Sequence, residues 1–312
     1  MQIITSINMI GIFLVLIFSS SFAYSTQLPP LPFKKLQLPL QTVGPDSTAF
    51  DLKGNGPYTS VADGRVLKYQ GPNIGFIDFA TTSPLRTKEV CDGTNDPNLL
   101  ITCGRPLGLG FYHKTGDLYI TDINYGLLSV GPNGGLATQL VSGINGVPFA
   151  FADSLDIDQT GEVIYFVDSG SIFRTRDINL ILQSGYRTGR FFKYNIRTKQ
   201  VTLLLSELSG PAGVALSLDG SYVLITEIIA SRIRRFWLKG PKANSAEIFA
   251  NLTGHPDNIK RTILRIDVLG NVVVSLNITA QYPNSFSEVQ EYFGRLYIGS
   301  FFLEYFVGVY GV

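Results

Sequence analysis

The chain has 312 residues, of which 45% are hydrophobic and 16% are charged, and its formal net charge is +1. This composition is too apolar for a disordered protein, and it provides enough chain for one large domain or two small ones. No cluster of lysine and arginine occurs, so the electrostatic footprint of a nucleic-acid binder is absent. The composition therefore favours a small-molecule or protein partner.

The N-terminus carries an apolar run of nine at residues 10–18, followed by small residues that offer cleavage after Ala23 or Ser25. A run this short is typical of a secretory signal peptide, and no second run approaches the length of a membrane span. Residues 1–25 are therefore predicted to be a leader, with a retained N-terminal anchor as the alternative. Residues 28–32 are restricted by prolines, and the folded domain is predicted at residues 36–312.

From residue 48 onward, the sequence repeats a phrase with three β-prone runs separated by turns of Asp, Gly or Asn, and the second run ends in a polar residue. Copies of this phrase cover residues 48–69, 107–130, 154–194 and 213–236, and the C-terminal tail carries another. Short strands, glycine-rich turns and the lack of a sustained 3.6-residue period predict β-propeller blades, with an irregular β-sandwich as the alternative. Residues 201–205 and 246–250 are predicted outer strands, and residues 177–183 a helical turn.

Cysteines and glycosylation sequons fit a secretory compartment. Cys91 and Cys103 are the two cysteines of the chain, with eleven residues between them. In an oxidising compartment this pair predicts one loop-closing disulfide, whereas the spacing does not suit zinc. Sequons for N-linked glycosylation begin at Asn251 and Asn277.

Several phrases of the chain are specific enough to carry a family resemblance. They lie at residues 58–66, 104–108, 189–194, 236–241, 256–261 and 285–300. Together they resemble the strictosidine synthase-like family of plants, from about residue 44 to residue 309. The resemblance implies an all-β, six-bladed β-propeller with a central small-molecule pocket, a vacuolar or extracellular location, and a disulfide at the cysteine pair. Relatives insert a further strand after Thr262, so the sixth blade is expected to be shortened.

The resemblance also identifies a changed catalytic position. Ser287 lies where the alkaloid-forming members carry a catalytic glutamate, and a serine hydroxyl cannot accept a proton near neutral pH as a carboxylate does. Glu288 is the nearest substitute, but consecutive side chains of an extended segment point to opposite faces, so we expect it to point away from the pocket. Phe151 and Phe286 lie where the family lines its pocket with aromatic rings; ordinary core packing is the alternative for each.

Three functional hypotheses follow from these residues. The first is alkaloid-type condensation of an arylethylamine with an aldehyde, which the loss of the glutamate places in doubt. The second is ester or lactone hydrolysis dependent on a calcium-type ion, as in similar propellers, because Asp46, Asp153, Asp257 and Asn258 lie near the matching ligand positions. Ala212 stands where relatives place an asparagine. The third is a non-catalytic, small-molecule-binding propeller.

Overall fold

The computed structural model describes residues 12–18, 32–175, 177–262, 287–301 and 304–311. The strands, in chain order, are β1 (Ile12–Phe18), β2 (Phe33–Gln37), β3 (Thr48–Ala49), β4 (Tyr58–Ser60), β5 (Arg65–Tyr69), β6 (Phe76–Thr81), β7 (Pro106–Tyr112), β8 (Asp117–Asp122), β9 (Gly126–Val130), β10 (Gly135–Leu136), β11 (Thr138–Val141), β12 (Gly143–Ile144), β13 (Val147–Pro148), β14 (Ala152–Asp158), β15 (Val163–Asp168), β16 (Gly189–Asn195), β17 (Val201–Leu208), β18 (Pro211–Leu216), β19 (Tyr222–Glu227), β20 (Arg232–Trp237), β21 (Ala246–Asn251), β22 (His255–Thr262), β23 (Val289–Tyr292), β24 (Arg295–Ile298) and β25 (Phe306–Gly311). Helical turns are short: α1 (Lys88–Cys91), α2 (Leu100–Cys103), α3 (Ile178–Gln183), and 3-10 turns at Pro97–Leu99 and Ser171–Thr175.

Five sheets form the blades of a propeller. The first contains β3, β4, β5 and β6, extended by β10, and the second contains β7, β8, β9 and β11. The third runs from β14 to β17 and the fourth from β18 to β21, while the fifth joins β23, β24 and β25 to the N-terminal strand β2. The inner strands of these blades are β3, β7, β14, β18 and β23. The N-terminal part of the domain therefore closes the last blade.

The predicted all-β propeller is confirmed, but the predicted count of six blades is not. The described residues form five blades, and between the fourth and the fifth lies a two-stranded sheet in which β22 pairs antiparallel with β1. The segment 263–286, which follows β22, lies outside the described residues. Strand β1 falls within the predicted leader, and the removal of residues 1–25 stays a prediction. The outer strands β17 and β21 and the helical turn α3 confirm the sequence-based expectations.

Hydrophobic packing lies between neighbouring blades. Tyr58 of β4 meets Phe111 of β7 edge to face with ring centroids 4.8 Å apart, and Phe191 of β16 meets Phe236 of β20 in the same way at 5.6 Å. All four rings are buried. Each buried cluster thus draws on two adjacent blades, and the apolar positions of the sequence repeat bind one blade to the next.

Hydroxyl side chains form hydrogen bonds with buried backbone groups that have no partner within their own sheet. Ser60 of β4, Thr121 of β8 and Thr226 of β19 each accept an N–H from the inner strand of their own blade or, for Ser60, from Ser47 directly before that strand. Each donates to a carbonyl of the next element around the ring, which is β7, β14 and β22 respectively. For Thr226 the distances are 2.6 Å from the Gly213 nitrogen and 2.7 Å to the Asp257 carbonyl. These bridges satisfy buried donors and acceptors that no β-ladder reaches.

Two glycines on inner strands allow neighbouring inner elements to lie close enough for these hydrogen bonds. A Cβ at Gly108 would lie 2.8 Å from the Asp153 carbonyl oxygen, and a Cβ at Gly213 would lie 2.5 Å from the Ile259 nitrogen. Any side chain at either position would push the inner strands apart. The glycines of the repeat are therefore required by packing at the ring centre.

The predicted disulfide between Cys91 and Cys103 is confirmed, and it joins α1 to α2. Both cysteines are fully buried. Among the helices in the described ranges, none combines the length and the apolar character that a bilayer crossing requires.

We expect Thr226→Val to destabilise the fold by about 1–3 kcal/mol, because it leaves the Gly213 N–H and the Asp257 carbonyl buried without their shared partner. Urea denaturation measures the change. Thr202→Val is the matched control, since Thr202 is exposed on an outer strand. Equal stability of the two variants would contradict the bridging role.

Candidate functional site

Four carboxyl groups from separate elements lie within electrostatic range of one another near the ring centre. Asp46 precedes β3, Asp153 lies in β14, Asp257 in β22, and Glu288 precedes β23. Their charges act on one another: Asp257 and Asp46 raise the pKa of Asp153, and Glu288 raises the pKa of Asp257. Three of them are buried, whereas Asp257 is partly exposed. We call these four residues the acidic centre.

Glu288 is held by three groups. Its carboxylate accepts hydrogen bonds from the Ser47 hydroxyl at 2.9 Å and the Thr48 N–H at 2.8 Å, and the Lys260 ammonium lies 3.2 Å away. The side chain is 1% exposed. These contacts fix the carboxylate between the fifth and first blades and leave it little freedom to move toward a ligand.

Ser287 also forms hydrogen bonds with neighbouring elements of the ring. Its hydroxyl donates to the Asp46 carbonyl at 2.9 Å, and its own carbonyl accepts the Asn258 N–H at 3.2 Å. Ser287 and Glu288 thus have different partners, yet Glu288 still lies close enough to raise the pKa of both Asp46 and Asp257. At the position predicted to match the family's catalytic glutamate, the chain therefore carries a hydroxyl that closes the fifth blade against the first.

The aspartates of the acidic centre have raised pKa values. Burial raises the pKa of Asp46 to about 6, against the lowering effect of the Arg105 charge and the Ser287 hydroxyl. Burial, then the charges of Asp257 and Asp46, raise the pKa of Asp153 well above its usual range. Burial, then the charges of Asp46 and Glu288, do the same to the pKa of Asp257. The value of about 6 suits Asp46 to exchange a proton near neutral pH, and the raised pKa values of Asp153 and Asp257 favour their protonated forms.

The hydrogen bonds of Ser169 point to a proton on Asp153. The Ser169 oxygen lies 2.6 Å from the Pro211 carbonyl and 2.9 Å from Asp153 Oδ2. A hydroxyl has one proton, and a carbonyl can only accept, so the proton of Ser169 goes to Pro211. An ionised Asp153 would compete with the Pro211 carbonyl for this one proton, whereas a protonated Asp153 would donate to the Ser169 oxygen. In the protonated form, the arrangement repeats the bridges of the other blades, with the carboxyl group in place of a backbone N–H.

Arg105 places a positive charge beside the acidic centre. Asp122, at the polar end of β8, accepts the Arg105 N–H at 2.7 Å and so fixes the loop that enters β7. The guanidinium donates to the Phe301 carbonyl at 2.6 Å, lies 4.6 Å from the Phe301 ring centroid, and lowers the pKa of Asp46. Arg105 and Lys260 were not predicted as site residues from the sequence. The signal that could have found Arg105 is the polar residue that ends the second run of each repeat.

An apolar cluster adjoins Arg105. Phe151 is buried, packs against Leu107 and Ile123, and lies 5.6 Å from the ring of Phe173; Phe301 packs against the same cluster. The Phe151 N–H donates to Asp168, which ends β15 as Asp122 ends β8. Phe151 is therefore placed near the acidic centre by the blade repeat itself. Phe286, the other aromatic residue predicted to line the pocket, lies outside the described residues.

The predicted metal ligands come from three inner elements. Asn258 follows Asp257 on β22, it is 3% exposed, and its Oδ1 has no hydrogen-bond partner in the described part of the chain. Within the described ranges, no group of three or more His, Cys, Asp and Glu side chains is close enough to hold one ion. Ala212 is buried on β18 and offers no ligand atom. A calcium-type site built on these residues stays a prediction.

Of the two predicted glycosylation sites, the one in the described residues lies on an outer strand. Asn251 is exposed at the end of β21, the outer strand of the fourth blade. Asn277 lies outside the described residues.

The fold and the site define an all-β propeller protein with a buried acidic centre, and comparisons with known proteins agree. The family model described as strictosidine synthase matches residues 153–241. Strictosidine synthase-like 11 of Arabidopsis thaliana is 38% identical, with 95% of this chain and 96% of that protein covered. Strictosidine synthase of Catharanthus roseus is 37% identical, with 86% and 84% covered. The chain belongs to the strictosidine synthase-like family.

Solved structures support the fold alone. A structure titled as a putative gluconolactonase matches with a TM-score of 0.61 at 12% identity, and it covers 89% of this chain and 91% of its own. A luciferin-regenerating enzyme matches with a TM-score of 0.60 at 12% identity, covering 91% and 96%.

We expect the protein to be more stable at pH 5 than at pH 8. An aspartate whose pKa is raised by folding binds more protons in the folded state, so its contribution to stability falls as pH rises from the ordinary value near 3.9 through the folded value. For Asp46, whose pKa rises from 3.8 to about 6, the full loss is about 3 kcal/mol, of which about 1.4 kcal/mol falls between pH 5 and pH 8. Urea denaturation at the two pH values measures it.

Asp153→Asn tests the proton on Asp153, because the amide keeps a donor to Ser169 and carries no charge. We expect a smaller loss of stability between pH 5 and pH 8 in this variant. The surface variant Glu89→Gln should keep the wild-type loss. A variant that is destabilised equally at both pH values would show that the wild-type carboxyl group is ionised.

Proposed function

We propose that the chain acts in plant alkaloid-type small-molecule metabolism, in the secretory pathway, and binds a small amine with an apolar body at the acidic centre. The observation that carries this proposal is the partly exposed Asp257, whose pKa is raised beside three other carboxyl groups. Family membership and the disulfide support the metabolic and secretory parts of the proposal.

A bound ammonium ion supplies the neighbouring positive charge that Asp257 lacks in the free protein. In the free protein, burial and the charges of Asp46 and Glu288 favour a proton on Asp257. A bound ammonium group stabilises the ionised carboxylate, so the proton leaves when the amine binds. Arg105 and Lys260 already compensate Asp46 and Glu288, which leaves Asp257 as the member of the centre best placed to pair with a ligand.

The apolar cluster around Phe151 suits the body of such an amine. An aromatic or aliphatic ligand buries area against these rings, while a charged head reaches the carboxylates. Because Arg105 lies between the cluster and the acidic centre, a ligand that spans both would contact its guanidinium.

Condensation chemistry lacks one group in this chain. An amine that attacks an aldehyde loses water to form an iminium ion, and ring closure then requires a base to remove a proton from carbon. The family's glutamate position carries Ser287, whose hydroxyl already donates to the Asp46 carbonyl. Loss of a positioned acid or base commonly costs about 10²- to 10⁴-fold in rate. We therefore propose binding with weak or no condensing activity.

Calorimetry with tryptamine tests the binding proposal. We expect proton release on binding near neutral pH, and an affinity that rises with pH by up to about tenfold per unit, because the amine competes with a proton for Asp257. Titrations in two buffers of different ionisation enthalpy count the protons. Asp257→Asn should abolish both effects, and Glu89→Gln should retain them. Wild-type binding without proton release would refute the role of Asp257.

Product formation from tryptamine and secologanin tests the proposal that condensing activity is weak or absent. The wild-type protein should form little or no strictosidine, and Ser287→Glu should raise the rate if the rest of the pocket is preserved. Rapid turnover by the wild type that survives Glu288→Gln would contradict the argument from the missing carboxylate.

A metal-dependent ester or lactone hydrolase is the second candidate, favoured by the unpartnered Oδ1 of buried Asn258 beside Asp257. In this proposal, Asp46, Asp153, Asp257 and Asn258 would hold a calcium-type ion, which polarises a carbonyl and lowers the pKa of a water molecule. Calcium should then raise the melting temperature by mass action, and Asp257→Ala should remove the shift. Aryl-ester turnover that persists in excess chelator would exclude this candidate.

A further inference from the structure

The outer edge of the fourth blade is unusual among the described strands in exposing two large apolar side chains side by side. Strand β21 pairs with β20 on one side, and its other edge has no strand partner within the described residues. Ile248 is 51% exposed and Phe249 is 46% exposed. An open edge with apolar side chains is a template for pairing with another chain, and proteins normally protect such edges.

The sequon at Asn251 lies at the end of this edge. Asn251 is the last residue of β21, and Thr253 lies in the bend that follows. Both side chains are exposed, and neither has a hydrogen-bond partner in the described ranges. Asn251 is two residues from Phe249, a separation of about 7 Å along a strand. A group attached here extends into solvent without disturbing a contact.

We propose that Asn251 carries an N-linked oligosaccharide that covers the apolar edge of β21. The modification is the transfer of a sugar chain from a lipid pyrophosphate donor. A bond forms between Asn251 Nδ2 and the anomeric carbon of the first sugar, the bond from that carbon to the pyrophosphate oxygen breaks, and the proton lost from Nδ2 leaves with the lipid pyrophosphate. The inference rests on the secretory part of the proposed function and is independent of amine binding.

The outer strand β21 exposes fewer polar side chains of its own than the outer strand β17, and the Arg235 guanidinium lies 5.1 Å from the ring centroid of its Phe249. The outer strand β17 exposes Thr202 and Glu207 around its exposed Leu203. On β21, the acidic Glu247 is already paired with Arg235 and Lys242. A hydrated sugar chain at Asn251 supplies the polar cover that the strand's own charges do not.

Intact-mass spectrometry of the full chain, secreted from plant cells, tests the modification. The background variant Asn277→Gln leaves Asn251 as the remaining sequon. In this background we expect a mass above that of the polypeptide, which peptide N-glycosidase reduces while leaving aspartate at position 251. Thr253→Ala should lose the added mass, and Thr253→Ser should keep it because serine also completes a sequon.

Sedimentation measures self-association and so tests whether the sugar chain covers the apolar edge. The chain without sugar, produced by enzymatic removal from the folded protein and by Thr253→Ala, should self-associate more than the Thr253→Ser chain at equal concentration. Equal self-association of the chains with and without sugar would contradict the proposal that the sugar covers the apolar edge of β21. A Thr253→Ser chain with its disulfide formed but no sugar would overturn the modification alone, whereas two free thiols and no sugar would overturn it together with the secretory part of the proposed function. Tryptamine binding should be the same in all of these chains.

Discussion

The inner strands of this propeller belong to separate sheets, so no ladder of backbone hydrogen bonds joins one blade to the next. Buried backbone groups between blades therefore need hydrogen-bond partners outside the ladders. Ser60, Thr121 and Thr226 meet this need with hydroxyls that accept from one inner element and donate to the next. Glycines at Gly108 and Gly213 keep the strands close enough for these bridges.

The same constraint accounts for the chemistry at the centre. In the third blade, Ser169 donates to the Pro211 carbonyl, and its other contact is the carboxyl group of Asp153. A neutral, proton-donating carboxyl group fits this position, whereas two buried acceptors would leave the bridge incomplete. Burial and neighbouring charges favour that protonated state as well. The ring therefore tolerates several buried acids because some hold a proton and others are paired with Arg105 or Lys260.

Much of the fold could be predicted from the sequence, because blades are local structures. The repeat of short runs and glycine turns gave the strands, including β17 and β21, and the spacing of Cys91 and Cys103 gave the disulfide. The blade count was less accessible, since it depends on which distant segment pairs with β22. Local periodicity carries no information about such a partner, and the structure pairs β22 with β1.

The acidic centre was predicted in its residues but not in its state. Asp46, Asp153 and Asp257 were found because they match the metal-ligand positions of similar propellers, whereas the neutralising partners come from elements far apart in sequence. Arg105 precedes β7, and Lys260 meets Glu288 only when the ring closes. Alternation along the strand predicted that Glu288 points away from the pocket, and it could not show that Glu288 stays within electrostatic range of Asp257.

Carbon-13 NMR titration of the aspartate carboxyl groups is the most direct test of this account, with the Asp257 signal assigned from its absence in Asp257→Asn. The account predicts that Asp257 titrates well above the ordinary aspartate range in the free protein and moves toward that range when tryptamine is added. A signal that titrates near the ordinary value of about 3.9 with and without the amine would contradict it.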